Sequence, residues 1–176
     1  DFSAYSFWSA PLGLLYLGSI LRKNDLRIRL IDCMTTVELK RKEDGRAPFI
    51  KEKVQKPPAL KGIKKHFRRY GISQDQLAEE LSSVEPPDLV LITSIMTYWY
   101  LGTREALEIV RSVFPDSPIA LGGIYPSLCY GHAVSHMNKA DIIVSNININ
   151  TFYGFVEKTL STVLPFKPSP YDIERL

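Results

Sequence analysis

Residues 87–100 read PDLVLITSIMTYWY, and this stretch decides the fold. DLVLITS, at 88–94, is a near-continuous apolar run with no polar alternation, as expected of a strand in a parallel sheet covered on both faces. The run then turns abruptly into Ser94, Thr97, Tyr98, Trp99 and Tyr100. A strand needs none of those groups to end, so they raise a question of function where the strand surfaces.

Downstream, the α/β rhythm continues. Residues 103–114 form a helical pattern with Ala106, Leu107, Val110 and Phe114 inward, stopped by PDSP. PIALGG (118–123) and DIIVS (141–145) read as further strands, and Thr151–Leu164 as a final helix. PFKPSPYDIERL, at 165–176, reads as a Pro-containing linker toward a C-terminal domain outside this sequence. Upstream, Pro11 suits a first helical turn. Leu12–Arg22 follows, apolar on most sides and therefore a buried helix, then the turn NDL and a strand RIRLID at 27–32. Between Cys33 and Pro87 the pattern changes to dense charge with prolines at 48, 57, 58, 86 and 87. There ALKGIKKHFRRYG (59–71) reads as a short basic helix closed by Gly71, and Ser73–Gln76 as a capping box opening a helix over Gln74–Val84.

The expected fold class is α/β: a doubly wound parallel sheet of flavodoxin-like or Rossmann-like type over residues 1–164, with a helical basic insertion at about 33–87. In the flavodoxin strand order 2-1-3-4-5 the first strand is central. Nothing before Pro11 reads as such a strand, since Asp1–Ala10 is short, aromatic and polar. The expectation is that the first strand is missing from this sequence and that roughly 6–8 apolar residues precede it in the natural protein.

The totals limit the function classes. The 176 residues are 45% hydrophobic and 23% charged, which suits one domain with a single core rather than a disordered chain. Net charge is only +3, yet Lys40–Arg69 holds twelve Lys or Arg against three acids. A local basic patch is present, and a globally basic nucleic-acid binder is not indicated. Two cysteines, Cys33 and Cys129, provide neither a disulfide framework nor metal-cluster spacing, and a cytoplasmic setting is the simplest reading. The apolar run Pro11–Leu21 is too short to cross a bilayer.

Ligands of open α/β sheets bind outside the carboxyl ends of the strands. Those ends carry Asp32, Ser94–Tyr100, Gly122–Tyr125 and Ser145–Asn150. Ser94 and Thr97 can donate to a polar ligand edge, and Tyr98, Trp99 and Tyr100 can wall a flat one; rim packing against a neighbouring domain is the alternative. Gly122-Gly123 allows close backbone approach to a bulky ligand, or is a plain tight turn. The pair is not G-x-G-x-x-G, and no phosphate-binding Lys follows. Asp32 can bind a ribose hydroxyl or cap the turn that follows it. Cys129, His132 and His136 fall on one helical face in a spacing reminiscent of metal ligands, but with Gly131 inside and no fourth ligand; a capping or solvated histidine pair is the plainer reading. KKHFRRYG can meet phosphates or form a solvated face. No Ser-His-Asp or paired-carboxylate arrangement can be assembled, so this chain alone is not expected to be catalytic.

Ser94-Ile95-Met96, followed after twenty-five residues by Gly122-Gly123, resembles the Ser-x-Leu … Gly-Gly pattern of cobalamin-binding domains. Together with PLGLLYLGSILRKNDLRIRLIDC, PPALKGIKKHFRRYGIS, PDLVLITSIMTYWY and LGGIYPSLC, it resembles the N-terminal domain of B12-binding radical SAM proteins. The resemblance runs from about Phe7 to Val144. It implies a domain that holds cobalamin and serves a following barrel carrying S-adenosylmethionine and a [4Fe-4S] cluster. Ser94, Gly122 and Gly123 would line the slot for the nucleotide tail, and Thr97, Tyr98, Trp99 and Tyr100 would border the corrin plane, with Met96 beside them in the expected cofactor-binding set. Ile124, Tyr125 and Ser145 complete the expected cofactor-binding rim. The sequence lacks Asp-x-His-x-x-Gly, which implies a base-off corrinoid with no protein His on cobalt. Met96 stands where the pattern has Leu, and SNININ where such domains carry a Gly-rich acidic turn. Two rival readings are a Rossmann-like domain-interaction module without a ligand, and nucleic-acid contact through Lys61–Arg69.

Overall fold

The structure, a computed structural model, describes residues 11–34, 42–43, 47–145 and 149–168. Helix α1 (Leu12–Lys23) begins after Pro11 and closes at Asn24, whose side-chain amide donates to the Ile20 and Phe166 carbonyls at 2.9 and 2.8 Å. Strands β1 (Lys51–Lys53) and β2 (Arg68–Tyr70) form an antiparallel ribbon with Lys53 opposite Arg68, and a short 3-10 turn at Pro58–Leu60 lies between them. Helix α2 (Gln74–Ser82) follows. Its capping box is complete: Ser73 accepts from the Gln76 N–H, and the Gln76 side chain accepts from the Ser73 N–H. Next come β3 (Val90–Ser94), a 3-10 turn at Thr97–Trp99, α3 (Tyr100–Val113), β4 (Ile119–Gly123), α4 (Ile124–Leu128), α5 (Tyr130–His136), β5 (Ile142–Ile143) and α6 (Ile149–Leu160).

Strands β3, β4 and β5 form a parallel sheet in that order, with Val90 opposite Ile119 and Leu121 opposite Ile143. Alternation along β3 sends its side chains to two cores. Val90 and Ile92 pack with α2 and α3, through Leu77, Leu81, Leu107 and Val110, while Leu89 and Leu91 pack with α1 and α6, through Ile20, Leu21, Phe152 and Val156. The result is a mixed α/β unit with helices on both faces of a parallel sheet, an arrangement compatible with a Rossmann-like fold.

Two expected elements differ. Residues 27–32 are not a strand among the described residues: no backbone hydrogen bond joins them to β3, and Ile28 and Leu30 are 40% and 44% exposed. A strand needs a partner ladder, and no described residue supplies one to this stretch. Nor is 59–71 a helix. Lys61/Lys65, Lys64/Arg68 and Lys65/Arg69 would each stack like charges at i,i+4, which disfavours a helix, and Arg68–Tyr70 pairs with Lys51–Lys53 instead. Among its described residues the insertion is therefore a basic ribbon followed by one helix. The expected loop at Asp1–Ala10, the turn at Asn146–Asn148 and most of the expected linker lie outside the described residues.

Candidate functional site

The rim at the carboxyl ends of the sheet is built from three adjacent strands. Ser94 sits opposite Gly123 in the register, and one step across, Val144 N–H donates to the Leu121 carbonyl, so Ser145 reaches the same level. The 3-10 turn at Thr97–Trp99 packs on α4, which brings Ser94, Met96–Trp99 and Gly122–Ile124 into one surface. Sequence adjacency on neighbouring parallel strands does this without any further requirement.

The two glycines differ physically. A Cβ at Gly123, whose φ is +106°, would stand 2.6 Å from the Ser94 carbonyl oxygen and 2.6 Å from Thr93 Oγ1. No side chain fits, so Gly123 is required by the fold. At Gly122 a Cβ would meet nothing nearer than Val144 Cβ at 4.0 Å. The fold tolerates a side chain there, and the bare backbone leaves an open floor between β3 and β5.

Ser94 is 3% exposed, and its hydroxyl donates only to the Met96 carbonyl at a long 3.4 Å. Around it the rim is apolar and open: Met96 is 40% exposed, Tyr98 58% and Ile124 51%. Tyr98 stands edge-on to Trp99 at 6.1 Å between centroids, and Thr97 and Trp99 are partly buried. Tyr125 differs from its neighbours. It is buried in the core, its ring offers no face to the rim, and its hydroxyl meets His132 Nδ1 at 2.8 Å. Burial, then Cys129 and Tyr100, push its phenol above the usual range.

His132 and His136 do not act as the metal-like spacing suggested. Their rings stack at 4.0 Å and 7°, and parallel planes do not share a metal ion. His136 Nδ1 donates to the His132 carbonyl at 2.9 Å. Tyr100 stands edge-on to His132 at 4.8 Å, completing an aromatic cluster beneath the rim. Among the described residues no three His, Cys, Asp or Glu side chains converge to hold a metal. Asp32 Oδ1 accepts from the Met34 N–H at 2.9 Å, which caps its own turn.

Two charged anchors carried no sequence signal, because their partners are distant in the chain. Arg69 bonds Glu52 at 2.7 Å and Glu105 of α3 at 2.8 Å, and Gln74 bonds the same Glu105. This fastens the basic ribbon beside the first turns of α3. Arg111 donates to the carbonyls of Pro115, Ser117 and Lys139 at 2.8, 3.0 and 3.0 Å, and to Asp141 Oδ2 at 2.7 Å. Asp141 Oδ2 also accepts the Ile119 N–H at 2.7 Å.

At the opposite, amino end of the sheet lies a groove of ≈ 700 Å³, lined by Leu26, Pro86–Asp88, Asp116–Pro118 and Thr159–Thr162. Among its lining residues Ser117 is already engaged, its hydroxyl donating to the Pro87 carbonyl at 2.7 Å.

No family model, curated protein or solved structure matches the chain.

Proposed function

We propose that this chain is a corrinoid-binding domain that holds cobalamin on the carboxyl rim of its sheet and presents it to a following radical SAM domain. The observation that carries the reading is the pairing of Ser94 with Gly122-Gly123 on adjacent parallel strands, where Gly122 has no internal reason to lack a side chain. The residues suit the group. Bare backbone on β4 permits the close approach a bulky nucleotide tail requires, and the Ser94 hydroxyl has spare hydrogen-bonding capacity. The exposed faces of Met96, Tyr98 and Ile124 offer apolar contact to a flat macrocycle. When bound, cobalamin would supply methyl transfer or related radical chemistry; S-adenosylmethionine and a [4Fe-4S] cluster would belong to the following domain. His132 meets the Tyr125 hydroxyl and stacks on His136, which supports a reading in which cobalamin would be held without a protein imidazole.

Hydroxocobalamin added to the protein, followed by gel filtration and a visible spectrum, tests this. Corrinoid is expected to elute with the protein, weakly held, with a spectrum unchanged in His132→Ala and His136→Ala variants. No retained corrinoid at high micromolar protein would overturn the reading for this chain.

A domain-docking role without ligand has one observation in its favour. Leu128, Tyr130 and Val134 on α4 and α5 are 72%, 50% and 51% exposed beside the rim. Retained docking to the following domain with no corrinoid bound would select that reading.

A further inference from the structure

The basic ribbon is a shaped surface on a fixed base. Val54 N–H donates to the Phe67 carbonyl at 3.1 Å, which extends the β1–β2 ladder one step toward the tip. The tip folds on itself. The N–H groups of Leu60, Lys61 and Ile63 donate to the Pro57, Pro58 and Leu60 carbonyls, and Lys56 Nζ donates to the Ile63 carbonyl at 2.5 Å. At the base, Arg69 ties the hairpin to α3 through Glu105.

The charge of this hairpin is one-sided. Between Lys51 and Arg68 seven Lys or Arg stand against one acid, Glu52, which Arg69 already engages at 2.7 Å. Lys53 and Arg68 are directly opposite in the register, and like charges so placed destabilise a ribbon left on its own. Residues 61–66 are all exposed, and Lys61, Lys64 and Lys65 have no carboxylate partner among the described residues. Salt screens such repulsion, whereas an extended anionic counterpart turns it into attraction.

The apolar groups decide which anion fits. Ile63 is 51% exposed at the tip, with Lys61 before it and Lys64 and Lys65 after it. Beside it a hollow of ≈ 120 Å³ is lined by Lys56, Lys65 and His66 together with Leu60, Ile63 and Phe67. Cationic and apolar side chains thus share one small concavity. A phospholipid surface offers both counterparts, phosphate and hydrocarbon, side by side. Single-stranded nucleic acid is gripped on open aromatic faces instead, and the rings of this hairpin, Phe67 and Tyr70, are partly buried.

We propose that the Lys51–Arg68 hairpin is a docking surface for an anionic phospholipid bilayer, with its lysines over the headgroups and Ile63 in the interfacial layer. Peripheral docking of this kind needs no spanning segment, and among the described residues no helix is long and apolar enough to be one. It requires nothing of the carboxyl rim, with or without a corrinoid.

Co-sedimentation of the 176-residue chain with vesicles tests this, using phosphatidylcholine alone and phosphatidylcholine with about 30% phosphatidylserine. The protein is expected to pellet with the phosphatidylserine vesicles only, and to be released by high salt. Each lysine near an anionic surface contributes roughly fivefold, so replacing Lys61, Lys64 and Lys65 by Ala together should weaken binding about 100-fold. Ile63→Ser should weaken it about fivefold, and Ile63→Leu should retain it. All four positions are exposed, so circular dichroism of each variant is expected to match the unmodified chain. The phosphatidylserine and salt dependences test the charge without any substitution. Absent binding to phosphatidylserine vesicles, equal binding to phosphatidylcholine alone, or indifference to Ile63→Ser would each overturn the proposal. Preferential binding to a poly-uridine RNA would overturn it too, and would assign the hairpin to nucleic acid.

Discussion

The two ends of the sheet divide space and chemistry unequally. The amino end has the groove of ≈ 700 Å³, walled by Pro86, Pro87, Pro118 and the end of α6. The carboxyl end gathers Ser94, the bare Gly122 backbone and exposed Tyr98 and Met96 onto one level. Prolines line a space because they terminate elements there; they contribute no donor to a ligand. Volume alone is therefore a weaker argument for a ligand site than convergence of groups on neighbouring strand ends.

The sharpest way to break that comparison is at the two glycines. Gly123→Ala is expected to destabilise the protein by about 3 kcal/mol, through the left-handed φ and the clash with the Ser94 carbonyl, as read from denaturant unfolding. Gly122→Ala, with ordinary contact distances, is expected to leave stability within about 1 kcal/mol while weakening corrinoid retention at least about tenfold. Equal stability losses at both positions would remove the reason for assigning Gly122 to a ligand.

The ends should also separate by pH. Burial, then Asp32 and Glu80, raise the Cys33 thiol near the carboxyl end to about 11, from a usual 9.0. The folded state binds that proton more tightly, so its contribution is complete below pH 9 and is lost as pH rises toward 11. Stability against urea is expected to fall on the order of 1–2 kcal/mol more across that window in the wild type than in Cys33→Ala. At the amino end the signs reverse. Hydrogen bonds from Lys167 and the Leu164 N–H hold the Glu157 carboxyl below its usual range. That contribution is present above the ordinary carboxylate pKa and is lost as pH falls through the depressed one. Acid should loosen the Leu164–Lys167 segment first, visible as faster exchange of the Leu164 amide; an amide indifferent to acid would show that the pair contributes nothing there.

The smallest effect is expected on the ribbon. Lys61, Lys64 and Lys65 are exposed and have no carboxylate partner among the described residues. Replacing all three by Ala should move the melting temperature by no more than about 2 °C. Tight, salt-sensitive binding of nucleic acid, lost in that variant, would shift the functional weight from the rim to the ribbon.

Much of this was legible in local sequence, and the failures share a cause. The Ser73–Gln76 cap, the β3 and β4 runs and the α3 face depend on neighbours within a few residues, and each is found where its pattern put it. Residues 27–32 have the composition of a strand, but pairing is a property of two segments, and no second segment among the described residues completes this one. The strand expected at 141–145 ladders only over Ile142–Ile143. Lys64–Tyr70 misled because helical spacing ignores the repulsion of its cations and the ribbon partner at Lys51–Lys53. At the rim, the Ser94–Gly123 level followed from strand ends alone. The burial of Tyr125 did not, because it depends on α5 folding His132 over the hydroxyl.

Arg111 carries a consequence for time rather than for architecture. Its guanidinium is satisfied by the turn at Pro115–Ser117 and by the loop at Lys139–Asp141, so it is fully engaged only when α3, β4 and the approach to β5 are all in place. A group that needs three separate pieces assembled gains little while the chain is still closing its first contacts. Arg111→Ala is therefore expected to speed unfolding more than it slows folding, as stopped-flow folding and unfolding rates would show.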